Sequence, residues 1–425
     1  MQPPHQPQHL EVIGTDAAGL ASLPAAAAAL VRQAQLLAAP ARLLPELRQA
    51  LADAASPPQL IASDRPEQLF PQLEQAMAAG QAVVLLASGD PLWFGIGRLL
   101  LERFPSSCLR FHSAPSSLQL AFARLGRPWQ DAQWLSLHGR EPDPLAARLQ
   151  QRPAALAVLT DPSRGGAEEV RRILAASGLE AAYALWLCER LGHPLERVQR
   201  LAPQAPLPAD LDPLHLVLLI AEPPSAADPT HLPLFGLDDG LWLQHPDRPG
   251  LMTKREVRIQ LLADLELPAG GVLWDVGAGV GSVGLEALRL RPALELWALE
   301  QRGGSAALIR ANAERLGVRP AAIHEGRAPE ALSGFPDPDR VLIGGGGRGR
   351  VAVLAAVLER LRPRGVVVMP LATLEALPEL RPLLEYAGLA MTVSQHQCWR
   401  GAPLAEGTRL APLNPVLVLK GRCPA

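Results

Sequence analysis

Residues 272–282 read Val-Leu-Trp-Asp-Val-Gly-Ala-Gly-Val-Gly-Ser, and this stretch decides the fold of the second half of the chain. An apolar run that carries one acid, Asp275, leads directly into Gly277, Gly279 and Gly281. The pattern predicts a strand, a sharp turn and a following helix, with backbone N–H groups at the helix start facing a ligand. Side chains at the three glycines would block the turn or the approach of that ligand.

The spacing of these glycines distinguishes the loop from a dinucleotide site. A dinucleotide loop prefers G-x-G-x-x-G, whereas this chain has acid-x-G-x-G-x-G. That pattern resembles motif I of the class I methyltransferases, whose ligand is S-adenosylmethionine. Glu300 ends the next apolar run, 294–299, about 20 residues beyond the loop, where a carboxylate reaches ribose hydroxyls. A Rossmann-type oxidoreductase is the alternative, and the glycine spacing disfavours it.

Composition excludes several other classes of protein. The chain has 425 residues and a net charge of -2, which predicts two or three domains and argues against a nucleic-acid binder. Its four cysteines are scattered without metal-ligand spacing, so we expect a reduced, metal-free, cytoplasmic protein. The longest apolar runs are too short for a membrane span.

Strands alternate with helices along the whole chain. In the first half we expect a helix over 24–37 and strands over 10–13, 82–87, 155–159, 184–189 and 214–221. In the second half, strands over 272–276, 294–299, 340–343 and 366–369 alternate with helices, and two late strands follow. This alternation predicts an α/β fold with a mostly parallel, doubly wound sheet.

Two loops of the first half have the composition of ligand loops. Ser88-Gly89-Asp90-Pro91 follows a buried strand, and Ser116-Ser117 opens a helix. Ligands bind at the carboxyl edge of parallel strands in open α/β sheets, which favours a ligand site here. A plain Gly-Asp-Pro turn and a simple serine N-cap are the structural alternatives.

The order of these features resembles a known family. The first half resembles the tetrapyrrole methylases, and the chain over about residues 10–420 is similar to the precorrin-6Y C(5,15)-methyltransferases (decarboxylating) of cobalamin biosynthesis. The resemblance is carried by motifs in both halves, at residues 88–95, 114–126, 159–161, 187–192, 250–258, 274–282, 326–332, 342–347 and 372–375.

The resemblance implies an activity and a domain plan. The family methylates a tetrapyrrole at carbons 5 and 15 and removes carbon dioxide from the acetate side chain on carbon 12. A tetrapyrrole methylase domain over 10–222 would serve carbon 5. A linker over 223–240 would lead to a class I domain over 241–425, which would serve carbon 15 and the decarboxylation. A precorrin substrate and a homo-oligomer are also implied.

The expected site residues fall into three groups. S-adenosylmethionine contacts are expected in the second half at Thr253, Asp275, Gly277, Ala278, Gly279, Val280, Gly281, Glu300 and Ala328. Contacts in the first half are expected at Gly14, Gly89, Asp90, Ser116 and Ser117. Lys254 and Arg255 are expected to meet substrate carboxylates, and Lys254 is one of only two lysines in the chain.

The first half departs from the family pattern close to its first two strands. Asp16 stands where the family has glycine, and Ala39-Pro40 replaces a glycine pair. An acid at position 16 would repel a bound cofactor carboxylate. A chain in which only the second half is catalytic, with a degenerate tetrapyrrole-binding first half, therefore remains the alternative.

Overall fold

A computed structural model describes residues 9–137, 143–225, 228–245, 247–248, 250–344, 347–404 and 407–424. The chain forms two compact units. The first contains residues 1–140, 154–170 and 185–220, and the second contains residues 141–153, 171–184 and 221–425. The predicted α/β class with parallel sheets is confirmed. The predicted limits of the domains stay a prediction.

The first sheet is entirely parallel, with strand order β3-β2-β4-β1-β5. Its strands are β1 (Leu10–Thr15), β2 (Leu36–Ala39), β3 (Gln59–Ala62), β4 (Val83–Ser88) and β5 (Leu109–His112), and the helices between them are α1 (Ala25–Gln33), α2 (Leu44–Ala50), α3 (Pro66–Ala78) and α4 (Gly97–Arg103). Thr15 lies opposite Ser88 in the sheet register. The central strands therefore end at the same edge, where loops can share a ligand.

The helix predicted over 24–37 is too long. Helix α1 ends at Gln33, and the next four apolar residues form strand β2, all of them buried. The alanine-rich stretch has high helix propensity. Packing of Leu36–Ala39 between β3 and β4 overrides that propensity.

The second sheet is mixed, with order β6-β7-β10-β8-β9. Its strands are β6 (Ala132–Ser136), β7 (Ala155–Leu159), β8 (Tyr183–Glu189), β9 (Arg197–Leu201) and β10 (His215–Ala221), and the accompanying helices are α5 (Ser117–Leu125), α6 (Asp143–Gln150) and α7 (Gly166–Ala176). Strand β10 runs antiparallel to β7, and β9 antiparallel to β8.

The third sheet has seven strands in the order β13-β12-β11-β14-β15-β19-β16. Its strands are β11 (Gly270–Val276), β12 (Ala293–Glu300), β13 (Ala322–Glu325), β14 (Arg340–Ile343), β15 (Val366–Leu371), β16 (Ala390–His396) and β19 (Val416–Arg422), and a separate hairpin pairs β17 (Trp399–Leu404) with β18 (Gly407–Pro412). Only β19 runs antiparallel to its neighbours among the pairings described.

Helices cover both faces of this third sheet. They are α8 (Arg255–Asp264), α9 (Ser282–Leu290), α10 (Ser305–Arg315), α11 (Arg350–Leu358) and α12 (Ala376–Tyr386). Apolar residues of α8, α9 and α10 share one buried cluster, and those of α11 and α12 share another. Two layers of helices around a parallel sheet are the doubly wound arrangement expected from the sequence. No helix in the described ranges has the length and apolarity that a membrane crossing requires.

Candidate active sites

The carboxyl ends of β11, β12 and β14 meet at the glycine loop of the second unit. Gly277, Gly279 and Gly281 all have positive φ angles, 78°, 60° and 80°. A Cβ on Gly277 would overlap the backbone oxygen of Gly344, so this position admits no side chain. A Cβ on Gly279 would meet nothing within 4 Å. The loop therefore presents open space at Gly279, where a ligand can approach the backbone.

Glu300 lies directly beside this open position. Its Oε2 accepts a hydrogen bond from the Gly279 amide at 2.8 Å, and its Oε1 accepts one from the Arg302 amide at 3.1 Å. A carboxylate offers about four acceptor sites, so about two remain for further hydroxyl donors. The expected pairing of loop and acid is thus present in the structure.

Ala328 belongs to a neighbouring loop of the same edge. It follows β13, whose last residue Glu325 lies opposite Glu300, and the Gly326 amide donates to the Glu300 carbonyl at 3.0 Å. The fourth loop of this edge begins at Gly344, whose amide donates to the Val276 carbonyl at 2.7 Å. Gly345 and Gly346 of the glycine run at 344–347 lie outside the described residues.

Asp275 is buried and contacts the helix that follows the glycine loop. Its side chain is only 2 % exposed, and its Oδ2 accepts a hydrogen bond from the Gly284 amide in the first turn of α9 at 3.1 Å. Burial raises the pKa of Asp275 to about 7, the Gly284 hydrogen bond lowers it, and the charge of Glu300 raises it. The direct cofactor contact expected for Asp275 stays a prediction, and its observed partner is the helix backbone.

Asn312 hydrogen-bonds both to the glycine loop and to a segment that precedes α8. The Asn312 amide group donates to the Val280 carbonyl at 3.0 Å and to the Leu243 carbonyl at 3.1 Å, and its oxygen accepts from the Leu243 amide at 3.0 Å. His245, two residues further, contacts the Ser305 hydroxyl through Nε2 at 2.9 Å. Sequence reasoning missed Asn312, since no local pattern marks an asparagine on a helix as a loop anchor.

The same segment carries a buried charge network centred on Arg258. This side chain is 0 % exposed and donates to Glu286 Oε1 at 3.0 Å, Asp239 Oδ1 at 2.8 Å and the Thr253 carbonyl at 2.7 Å. Glu286 belongs to α9, the helix that follows the glycine loop. Arg258 therefore holds the Thr253 backbone in fixed relation to the loop.

Lys254 and Arg255 lie at the edge of this network. Lys254 Nζ is 3.4 Å from the Gly250 carbonyl, and burial lowers the pKa of Lys254 while Asp239 raises it. Arg255 donates from Nε to the Gly236 carbonyl at 2.6 Å and lies 3.7 Å from Asp238. Their expected contacts with substrate carboxylates stay predictions.

The interval 223–240 contains both surface and core residues. Residues 226–227 lie outside the described part of the chain. Leu237 and Asp239 are 0 % and 2 % exposed, respectively. Part of this interval therefore packs in the interior of the second unit.

In the first unit, Gly14, Gly89 and Ser116 converge. A Cβ on Gly14 would overlap the Gly89 carbonyl oxygen and lie 2.9 Å from the Ala114 Cβ. Gly89 has a φ of 66°, and a Cβ there would lie 3.5 Å from the Ser116 Cα. Three loops distant in sequence thus meet at the carboxyl edge of β1 and β4.

The polar side chains of these loops make local hydrogen bonds. Ser116 caps α5 in a capping box, accepting from the Gln119 amide at 3.3 Å, while its own amide donates to Gln119 Oε1 at 2.8 Å. Asp90 accepts from the Leu92 amide at 2.8 Å. Both arrangements fit the structural alternatives, and the cofactor roles of Asp90, Ser116 and Ser117 stay predictions.

The Asp16 side chain has close contacts within the first unit. Its Oδ1 accepts from the Ala18 amide at 2.8 Å, and its Oδ2 packs against Gly192, where a Cβ would overlap it. The Ala17 amide also donates to the Leu191 carbonyl at 3.2 Å. The Asp16 carboxylate therefore occupies space that is available because residue 192 is a glycine and has no side chain.

Comparison with known proteins identifies relatives of both halves of the chain. Residues 9–202 match the family model of tetrapyrrole (corrin/porphyrin) methylases, and residues 245–421 match that of the precorrin methyltransferase domain. A precorrin-6Y C(5,15)-methyltransferase [decarboxylating] from Sinorhizobium sp is 35 % identical, covering 79 % of this chain and 79 % of the relative. The chain belongs to the precorrin-6Y C(5,15)-methyltransferase (decarboxylating) family.

Shorter proteins also resemble part of this methyltransferase. A probable cobalt-precorrin-6B C(15)-methyltransferase (decarboxylating) from Pyrobaculum calidifontis is 37 % identical over 43 % of this chain and 94 % of its own length. The crystal structure of a precorrin-6Y C5,15-methyltransferase from Geobacter metallireducens is 34 % identical and covers 45 % of this chain and 99 % of that chain, with a TM-score of 0.42.

Membership confirms the expected activity class. The protein is a methyltransferase, as the sequence predicts. The family implies the use of S-adenosylmethionine. Within the described ranges, no group of three or more histidines, cysteines, aspartates or glutamates is placed to hold a metal ion.

Proposed function

We propose that this methyltransferase adds methyl groups to carbons 5 and 15 of a precorrin-6Y-type tetrapyrrole and decarboxylates its carbon 12 acetate. The first unit would serve carbon 5, and the second unit would serve carbon 15 and the decarboxylation. The observation that carries the proposal is the presence of two unlike glycine loops, at Gly279 and at Gly89. Each contains glycine with a positive φ and follows the carboxyl end of a parallel strand.

The residues of the second unit fit S-adenosylmethionine. The open space at Gly279 admits a ligand against the backbone. Glu300 retains about two acceptor positions beside it, which suits the two vicinal hydroxyls of a ribose. The resemblance to the family implies that Thr253 and Ala328 also contact this cofactor. When bound, the cofactor supplies a methyl group on a positively charged sulfur.

The protein has little covalent chemistry to perform. Conjugated nitrogens of the tetrapyrrole make a ring carbon nucleophilic, so the enzyme needs to hold that carbon in line with the methyl group and to exclude water. In the decarboxylation the bond between the acetate methylene and its carboxylate breaks. The electron pair passes into the ring, and a proton then converts the methylene to a methyl group.

The assignment of carbon 15 and the decarboxylation to the second unit rests on the family resemblance, together with the match of residues 245–421 to the precorrin methyltransferase domain. A homo-oligomer remains an expectation from the resemblance.

Calorimetric titration of the full chain with S-adenosylmethionine tests the two-site proposal. We expect two equivalents bound per chain. One equivalent would contradict it and favour a first unit that binds tetrapyrrole without transferring a methyl group. Binding of a nicotinamide cofactor instead would contradict both.

A further inference from the structure

We infer that Arg42 and Arg190 form a recognition pair for one carboxylate side chain of the tetrapyrrole in the first unit. This inference rests on the proposed function, because a precorrin substrate carries several carboxylates on its rim. It concerns a different part of the molecule from Lys254 and Arg255, which belong to the second unit.

Topology brings both arginines to the ligand edge of the first unit. Arg42 follows β2, Ser88 ends β4, and Asp16 follows β1, so these residues lie at neighbouring carboxyl ends of one parallel sheet. Arg190 follows β8 and precedes Leu191 and Gly192, which contact Ala17 and Asp16.

Arg42 has unused hydrogen-bonding capacity. Its Nη2 donates to the neutral Ser88 hydroxyl at 2.8 Å, in the residue that precedes Gly89. Among the described residues no carboxylate lies within ion-pair distance of its guanidinium. The side chain is exposed to solvent. Its remaining N–H donors are therefore available for a bidentate bond to a carboxylate.

Several charged groups act on Arg42. Desolvation by burial lowers the pKa of Arg42, whereas Asp64, Glu46 and Asp16 raise it, and the charge of Arg190 lowers it. The repulsion between the two guanidinium groups would be relieved by a carboxylate bound to both.

Arg190 is held in an unusual backbone conformation. Its φ is 48°, in the left-handed region that arginine rarely adopts. The Arg190 amide donates to the Leu214 carbonyl at 2.9 Å, and its Nε lies 3.2 Å from Asp212 Oδ2. The ion pair with Asp212 holds the guanidinium through Nε. Neither Nη group has a hydrogen-bond partner in the described ranges. A strained position that presents a cation to a ligand edge is consistent with a binding role.

The test compares Arg42→Gln and Arg190→Asn in the full chain, since asparagine tolerates the left-handed backbone at position 190. Arg98→Gln is the matched control, because Arg98 is 70 % exposed and pairs with Glu102 on α4. Precorrin-6Y is the probe, and mass spectrometry reports the position of each added methyl. We expect each variant to raise the KM for carbon 5 methylation about tenfold, with kcat within about twofold, corresponding to loss of one charge-assisted contact.

A second arm uses precorrin-6Y with esterified side chains. The unaltered protein should lose affinity for the ester in carbon 5 methylation, and the double variant should no longer distinguish acid from ester. Carbon 15 methylation should not change in either variant. An unchanged KM for carbon 5 in both variants would overturn the inference. Absence of carbon 5 methylation in the unaltered protein would overturn the proposed function of the first unit, and the recognition pair with it.

Discussion

The Gly279 amide donates a 2.8 Å hydrogen bond to the Glu300 carboxylate, which joins the glycine loop to the acid at the end of the next strand. This bond places the Glu300 carboxylate and the open backbone position at Gly279 side by side. The loop and the acid therefore form one site, although they lie about 20 residues apart.

Replacing Glu300 by Gln removes the charge of this acceptor while keeping its shape. Hydrogen bonds to charged groups contribute about 1.5–3 kcal/mol, so we expect S-adenosylmethionine to bind the second unit roughly 10- to 100-fold more weakly. Calorimetry on the full chain measures this affinity. Glu295→Gln, on the exposed face of the same strand, is the control and should bind normally. Equal affinities in the two variants would refute the role of Glu300.

Gly277 and Gly279 should respond differently to alanine, although both have positive φ. Gly277→Ala places a Cβ against the Gly344 carbonyl oxygen, whereas Gly279→Ala meets open space. We expect Gly277→Ala to lower the free energy of unfolding by more than about 2 kcal/mol. Gly279→Ala should cost about 1 kcal/mol but weaken cofactor binding. Thermal unfolding and S-adenosylmethionine titration separate the two effects, and normal binding by Gly279→Ala would show that no ligand uses this space.

Asp275 should make stability depend on pH. Its pKa is raised to about 7 by burial, so the folded state keeps a proton that the unfolded chain releases near pH 4. The folded state is therefore favoured at low pH and loses up to about 3 kcal/mol as the pH rises from 5 to 8. Asp275→Asn should flatten this dependence in guanidinium unfolding at the two pH values. An unchanged slope would mean that Asp275 is ionised throughout.

Asp16 and Gly192 should be energetically coupled. Gly192→Ala would place a Cβ against the Asp16 carboxylate and should destabilise the first unit by about 2 kcal/mol. Adding Asp16→Gly should recover about 1 kcal/mol of this loss, because the clash is removed while the strain of a positive φ remains. A double-mutant cycle of unfolding free energies measures the coupling. Strict additivity of the two changes would contradict the packing.

Local pattern was enough to predict the glycine loops, because their function depends on backbone conformation. The strand over 340–343 was predicted with the bounds that the structure has, and the helix predicted to follow the glycine loop is present as α9. Glycine spacing and the following acid are signals contained within about 30 residues. Gly14 meets Gly89 in the structure because the parallel strands that lead to them end at one edge of the sheet.

The contacts that depend on distant pairing were not predictable in this way. Arg258 follows two other basic residues closely in the sequence, but it is fully buried between Asp239 and Glu286. Its partners lie 19 and 28 positions away, beyond any helical or strand periodicity. Strand β2 was likewise included in a predicted helix. Its four consecutive apolar residues show no alternation of apolar and polar positions that would distinguish a strand from a helix.

The mass of the product made from precorrin-6Y and labelled S-adenosylmethionine tests the central claim most directly. The account predicts a product that has gained two labelled methyl groups, at carbons 5 and 15, and lost one carbon dioxide. A product with a single methyl at carbon 15 and the same loss of carbon dioxide would contradict it, since only the second unit would then be catalytic.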